Sequence, residues 1–107
     1  MSDTILVYTT FKEKEEALKL CRILLKKHLI SCVQIDSPVD SLYWWNGVIE
    51  QEKEHRLVMK SNQSLFEELQ LEIRRNHSYD VPEIIAVPVS GISKKYEEWM
   101  QGVLKNE

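Results

Sequence analysis

Tyr43, Trp44 and Trp45 stand consecutively, and Asn46-Gly47 follows them at once. An Asn-Gly pair between extended segments is the strongest short-range signal for a two-residue hairpin. Both residues tolerate the positive φ that a type I′ turn demands. In the strand entering that turn, successive side chains point to opposite faces, so three adjacent aromatics cannot all enter one core. Two readings stay open. Either two rings are core and one is singly exposed, or the stretch anchors a contact with another chain, as aromatics do at interface centres. The second is preferred, because a long hairpin also offers unpaired edges to a neighbour. Ser41–Gly47 therefore marks this chain as a subunit of an assembly.

With 107 residues there is room for one core, so 1–107 is read as a single domain. A domain this small gains from association. The net charge of −3, with 14 basic against 17 acidic residues, argues against a nucleic-acid partner, which calls for a basic stripe. Lys26-Lys27 and Lys94-Lys95 read as solvated helix faces. No apolar run reaches the roughly 18 residues of a membrane span, and no leader pattern opens the chain. A cytoplasmic location, no membrane partner and reduced Cys21 and Cys32 are expected.

Thr4–Thr10 is β-branched and aromatic, and reads as a buried strand. Thr10 with Glu13 fits a capping box opening a helix on which Ala17, Cys21, Leu24 and His28 share the apolar stripe. A second strand begins near Ser31 and is broken or bent at Ser37-Pro38 before Leu42–Trp45. After the hairpin turn, Val48–Lys60 reads as a long strand. Ser64 with Glu67 fits another capping box, and Phe66, Leu69 and Ile73 form the buried stripe of a second helix. A loop, His77–Glu83, leads to a strand at Ile84–Val89. Ser93 then caps a last helix with Tyr96, Trp99, Met100, Val103 and Leu104 on one face. The order predicts an α+β, ferredoxin-like βαββαβ antiparallel sheet with both helices on one face, plus a C-terminal helix. The sheet's other face must be covered by that last helix, by a partner subunit, or by both.

Few residues carry obvious chemistry. Cys21, Cys32, His28, His55 and His77 are the soft and imidazole donors, and no pair has structural-zinc spacing. Cys21 and His28 lie on the helix stripe and read as core. Glu50, Glu52 and Glu54 alternate along one strand face, which is either solvated or a weak cation attractor. No nucleophile elbow or phosphate-cradling glycine loop is present, and a Cys32–His77 thiolate pair depends on a contact that spacing cannot supply. No catalysis is expected.

As a set the residues resemble the CutA family of divalent-cation tolerance proteins. The matching pieces are Ser31–Ile35, Ser41–Glu50, Leu57–Ser61, His77–Ile84 and Tyr96–Trp99. Two positions depart from the family's pattern, with Gln34 in place of Asn and Ser78 in place of Pro. The resemblance implies a homotrimer of ferredoxin-like subunits with hairpins pairing around a threefold axis and Tyr43, Trp44 and Trp45 at the interface. It also implies similarity to the trimer of PII signalling proteins, with ligands in clefts between subunits. Tolerance of copper or another divalent ion is the implied function, with the metal as partner and no obligatory cofactor. Cys32 and His77 are the implied metal contacts, and Glu50, Lys60, Tyr79 and Glu83 the implied cleft residues. The alternative is a PII-like trimer that binds a small anionic metabolite through Lys60.

Overall fold

A computed structural model describes residues 3–106. Strand β1 (Thr4–Phe11) buries Ile5, Val7 and Phe11 on one face, while Leu6 and Tyr8 on the other stay half-buried. Helix α1 (Lys14–Lys26) follows, with Ala17, Leu20, Cys21 and Leu24 buried at the i, i+3, i+4, i+7 spacing of one face. Strands β2 (Cys32–Ile35), β3 (Val39–Trp45) and β4 (Val48–Asn62) come next, then helix α2 (Phe66–Arg75), β5 (Ile85–Pro88) and helix α3 (Lys94–Val103). The sheet order β2-β4-β1-β5, antiparallel throughout, is the ferredoxin-like arrangement expected from the element order.

The core lies between that sheet and helices α1 and α2. Val7, Leu57 and Met59 from the strands meet Leu24, Leu69 and Ile73 from the helices, all fully buried. Within α2 the buried Glu72 is neutralised by Lys27 at 2.7 Å and Arg75 at 3.1 Å. Chiefly through the Lys27 bond, its carboxyl is held below the usual carboxylate range.

Several local expectations change. Thr10 belongs to β1, and α1 begins after Glu13 with no side-chain cap; Ser64 likewise sits in a short 3₁₀ turn at Gln63–Leu65 and caps nothing. Only Ser93 caps as expected, accepting from the Tyr96 N–H. His28 is not core. Helix α1 has already ended, and His28 adopts φ 58° as the left-handed residue of a Schellman motif. Its N–H donates to Leu25 and that of Leu29 to Leu24. The exposed ring bonds the Val103 carbonyl at 2.9 Å, tying α1 to the end of α3. Along α3 only Met100 is buried, with Leu104 just beyond it, and Tyr96 and Trp99 stay exposed. The last helix therefore leaves much of the second sheet face, at Leu6, Tyr8, Ile85 and Val87, open.

Beyond the sheet, β3 and the first half of β4 project as a ribbon. The chain measures 44 Å along its longest axis against 26 and 24 Å across. The register shifts at the ribbon's base. Ile35 pairs with Leu57, but Val39 pairs with Glu54, so three residues of the β2–β3 strand oppose two of β4. This is a β-bulge. Asp36 holds it to β4, its N–H donating to the Arg56 carbonyl at 2.9 Å and its carboxylate accepting from the guanidinium at 2.8 Å.

At the ribbon tip Asn46 (φ 51°) and Gly47 (φ 79°) make the expected left-handed turn. Gly47→Ala puts a Cβ into that conformation and is expected to lower stability by about 1 kcal/mol. Gly91, in open space without a left-handed φ, should tolerate alanine with little change. Urea midpoints at matched protein concentration check both, and equal shifts would contradict the turn assignment.

Candidate functional site

Because of the bulge, side-chain parity changes between β2 and β3. In the ribbon, Ser41, Tyr43 and Trp45 pair with Glu52, Glu50 and Val48, whereas Leu42 and Trp44 pair with Gln51 and Ile49. Alternation then separates two faces. One is apolar and open to solvent: Trp44 is 71% exposed, Leu42 65% and Ile49 62%. The other carries carboxylates and phenols.

That second face is roofed at the ribbon's base by the loop after α2, leaving a cleft of about 760 Å³. Ribbon residues Tyr43, Trp45, Glu50, Glu52 and Glu54 form one wall, and Tyr79, Asp80 and Glu83 of the loop form the other. Tyr79 donates to Glu54 at 2.6 Å, and Tyr43 donates to Glu52. The bond to Glu52 pushes the Tyr43 phenol up to about 12. Burial, followed by the bond to Glu54, pushes that of Tyr79 up as well.

His77 sets the pose of the loop. Its ring stacks on Phe11 at 3.9 Å and 12°, and tilts against Tyr79 at 4.7 Å. Nε2 lies 2.7 Å from the Thr10 carbonyl, and Nδ1 accepts the Tyr79 N–H at 3.1 Å. This network assigns a neutral ring protonated at Nε2. Burial, the largest influence, lowers its pKa. With both nitrogens engaged, the ring must release a partner before it binds a metal.

The residues singled out in the sequence fall into separate groups. Glu50, Tyr79 and Glu83 share the cleft with Tyr43 and Trp45, while Trp44 belongs to the opposite, apolar face of the ribbon. Lys60 and Cys32 lie elsewhere, paired across β4 and β2 on the open sheet face, with the ammonium 3.8 Å from the thiol sulfur. Lys60 also reaches Gln34 Oε1 at 3.4 Å and sits 5.6 Å from the Tyr96 ring centroid. Six residues of strand separate Lys60 from Glu54, about 20 Å. His77 contacts Thr10, whose β4 partner Arg56 is four residues from Lys60, so Cys32 and His77 stand at different levels of the sheet. Cys21 is buried, and burial pushes its thiol up to about 11. Among the described residues no group of three His, Cys, Asp or Glu side chains is placed to hold a metal ion. None of the described helices is long and apolar enough to cross a membrane.

Sequence reasoning missed the roles of Glu52, Glu54 and Asp80. The Glu-x-Glu-x-Glu alternation was visible, but the loop that closes over it comes from 25 residues further along the chain. The Tyr96 ring over Lys60 had no sequence signal at all.

The family described as CutA1 divalent ion tolerance protein matches residues 5–103. A divalent-cation tolerance protein CutA from Pyrococcus horikoshii is 41% identical over 96 residues, covering 90% of this chain and 93% of that one. A chloroplastic CutA protein from Arabidopsis thaliana is 39% identical over 103 residues; these are 96% of this chain but 57% of the plant protein, so the chain spans little over half of that relative. The crystal structure of CutA1 from Oryza sativa superposes with a TM-score of 0.95 at 35% identity, covering 99% and 97% of the two chains.

The raised phenols give the site a pH signature. Above the ordinary tyrosine value near 10 the folded protein keeps protons that the unfolded chain releases, so stability falls as pH rises from about 10 to about 12. A Tyr43→Phe, Tyr79→Phe double variant is expected to flatten that part of the profile. Urea midpoints at stepped alkaline pH test this, and parallel profiles for both proteins would refute it.

Proposed function

The chain belongs to the CutA1 divalent ion tolerance family, and from that membership we propose a homotrimer that binds ligand in clefts between subunits and acts without catalysis. One observation carries the reading. The ribbon and the sheet each present an uncovered apolar surface: Leu42, Trp44 and Ile49 on the first, Ile85 and Val87 on the second. Exposed patches of this kind mark association. The outer strand of the ribbon and strand β5 are also unpaired edges, which invite strand addition by a neighbour. The acidic cleft lies at the base of the same ribbon, so a second subunit packed there becomes one of its walls.

For the tolerated metal, read as copper, Cys32 is the soft donor left accessible, and a thiolate suits the reduced, monovalent copper(I) ion. Among the described residues a single chain supplies no complete ligand set, so on this reading the bound ion takes donors from more than one subunit. His77 is placed as the loop's anchor. A second reading rests on Lys60, whose ammonium has no carboxylate within ion-pair distance among the described residues. It faces Gln34 and Tyr96 instead, which suits a small anion and a PII-like signalling role. We place the protein in the cytoplasm, where a free Cys32 stays reduced.

Native mass spectrometry of the wild type is expected to give a trimer, and Trp44→Glu, which sets a charge into the apolar ribbon face, is expected to give smaller species. A monomeric wild type refutes the assembly. Calorimetric titration with copper should show weakened binding in Cys32→Ser, and unchanged affinity would remove Cys32 from the metal site. An anion that binds at Lys60 and is supplied at a hundred times its Kd would stabilise the protein by about 2.7 kcal/mol. A thermal-shift screen with nucleotides and organic acids reads this directly.

A further inference from the structure

Ser78 ties the roof loop to helix α1, its exposed hydroxyl donating to Glu16 Oε1 at 2.9 Å. It stands where the CutA pattern has proline, which offers no hydroxyl, so the contact comes from this chain's own sequence. The bond lies at a second cavity, of about 320 Å³, between α1 and the end of α2. Among the described residues Glu16 is the one carboxylate lining it, and Lys19 and Arg75 line it too. Lys19 has no carboxylate within ion-pair distance among the described residues. Arg75 shares the buried Glu72 with Lys27, at 3.1 Å against 2.7 Å. Glu72 therefore keeps a counter-charge when Arg75 turns away. The cavity sets two cations against one anion, with an accessible hydroxyl among them.

The approach to that hydroxyl is basic. Arg74 and Arg75 precede Ser78 by four and three residues, and no other serine or threonine of the chain has an arginine or lysine three places before it. Both arginines are exposed and close helix α2, at an end where helices fray. From Asn76 to Ile84 the chain is neither helix nor strand, so it can lie extended in an enzyme's groove. Kinases sort substrates by charge pattern, and an acidic groove reads arginine through charge-assisted, often bidentate, hydrogen bonds. The cavity also suits the product. A phosphoryl group on serine brings about −1.5 to −2 charge and three acceptor oxygens. Phosphoserine no longer donates to Glu16, which repels it. Lys19, one turn further along α1, and Arg75 both attract it.

We propose that Ser78 is a phosphoacceptor for an arginine-directed serine kinase, and that its phosphoryl group exchanges Glu16 for Lys19 and Arg75, shifting the loop that carries Tyr79, Asp80 and Glu83 over the cleft. In the transfer, Ser78 Oγ forms a bond to the γ-phosphorus of a nucleoside triphosphate. The bond from that phosphorus to the β,γ-bridging oxygen breaks, and the nucleoside diphosphate leaves with the electron pair. The hydroxyl proton passes to the kinase's catalytic carboxylate. The proposal needs neither the assembly nor the metal, so its failure leaves both of those readings standing.

The test treats the full-length protein with magnesium ATP and the catalytic subunit of cyclic-AMP-dependent protein kinase, then reads intact mass and maps the peptides. One phosphate is expected, on Ser78, and Ser78→Ala should take none. Arg75→Gln, with Lys27 still neutralising Glu72 and circular dichroism unchanged, should slow incorporation about tenfold or more, the scale of one lost charge-assisted contact. Phosphorus NMR then reads where the group sits. Cations favour the dianion, so its second ionisation should fall below the ordinary value of about 6. Lys19→Gln, an exposed substitution, should move it back up. Hydrogen exchange across Tyr79–Val81 should differ between the two forms. No incorporation into the native protein, phosphate on another residue, or a rate unchanged in Arg75→Gln would each overturn the proposal. So would an ionisation at or above the ordinary value, or one that Lys19→Gln leaves unmoved, or unchanged loop exchange.

Discussion

Strand β4 holds the molecule together, because every other strand but β5 pairs with it. Its C-terminal half lies in the sheet between β1 and β2, and its N-terminal half leaves the sheet to pair with β3 alone. Continuity between those halves depends on one extra residue in the opposing strand, held at Asp36 by the Arg56 guanidinium and carbonyl. A one-residue change of register exchanges the two faces of a strand. Here it means that even-numbered residues of β2, but odd-numbered residues of β3, share a side with Glu50, Glu52, Glu54, Val58 and Lys60. Tyr43 and Trp45 consequently join the carboxylates, and Trp44 joins Leu42 and Ile49.

The division of the ribbon into a charged face and an apolar face follows from that register. So does the difference between the two uncovered surfaces. The apolar one gains most by excluding water, which requires another protein surface of comparable shape. The acidic one is already organised by its own phenols, with Tyr43 on Glu52 and Tyr79 on Glu54. It is a built concavity with a roof, whose loop is pinned from behind by His77 stacked on Phe11.

Polar groups at the other end of the sheet are arranged on different terms. Lys60 draws its contacts from three elements: Cys32 and Gln34 on β2, and Tyr96 on α3. Helix α3 reaches that position because its far end is fastened to the α1 terminus, through the His28 ring on Val103 and the Lys105 N–H on the His28 carbonyl. Asn62 and Gln101 add a reciprocal amide pair. A left-handed histidine that closes one helix thus also positions another.

Local pattern determined the order of elements, the apolar stripes of α1 and α2 and the Asn46-Gly47 turn, because each is encoded within a few residues of itself, and the antiparallel ferredoxin-like sheet followed from that order. The alternation of Glu50, Glu52 and Glu54 was equally legible, as was the incompatibility of Tyr43, Trp44 and Trp45 with a single core. Helix ends were less so: Thr10 and Ser64 have the right chemistry for caps, but strand pairing and a 3₁₀ turn claimed them first. What only the tertiary structure decided was which aromatic faces which way, and which site residues meet. Ser37-Pro38 signals an interruption but not whether the strand resumes in or out of phase, and that phase is set by the Asp36–Arg56 contact across the sheet. Glu50, Tyr79 and Glu83 share a cleft while Lys60 and Cys32 lie some 20 Å away, because side-chain proximity is fixed by strand register and loop closure, neither of which is local in sequence.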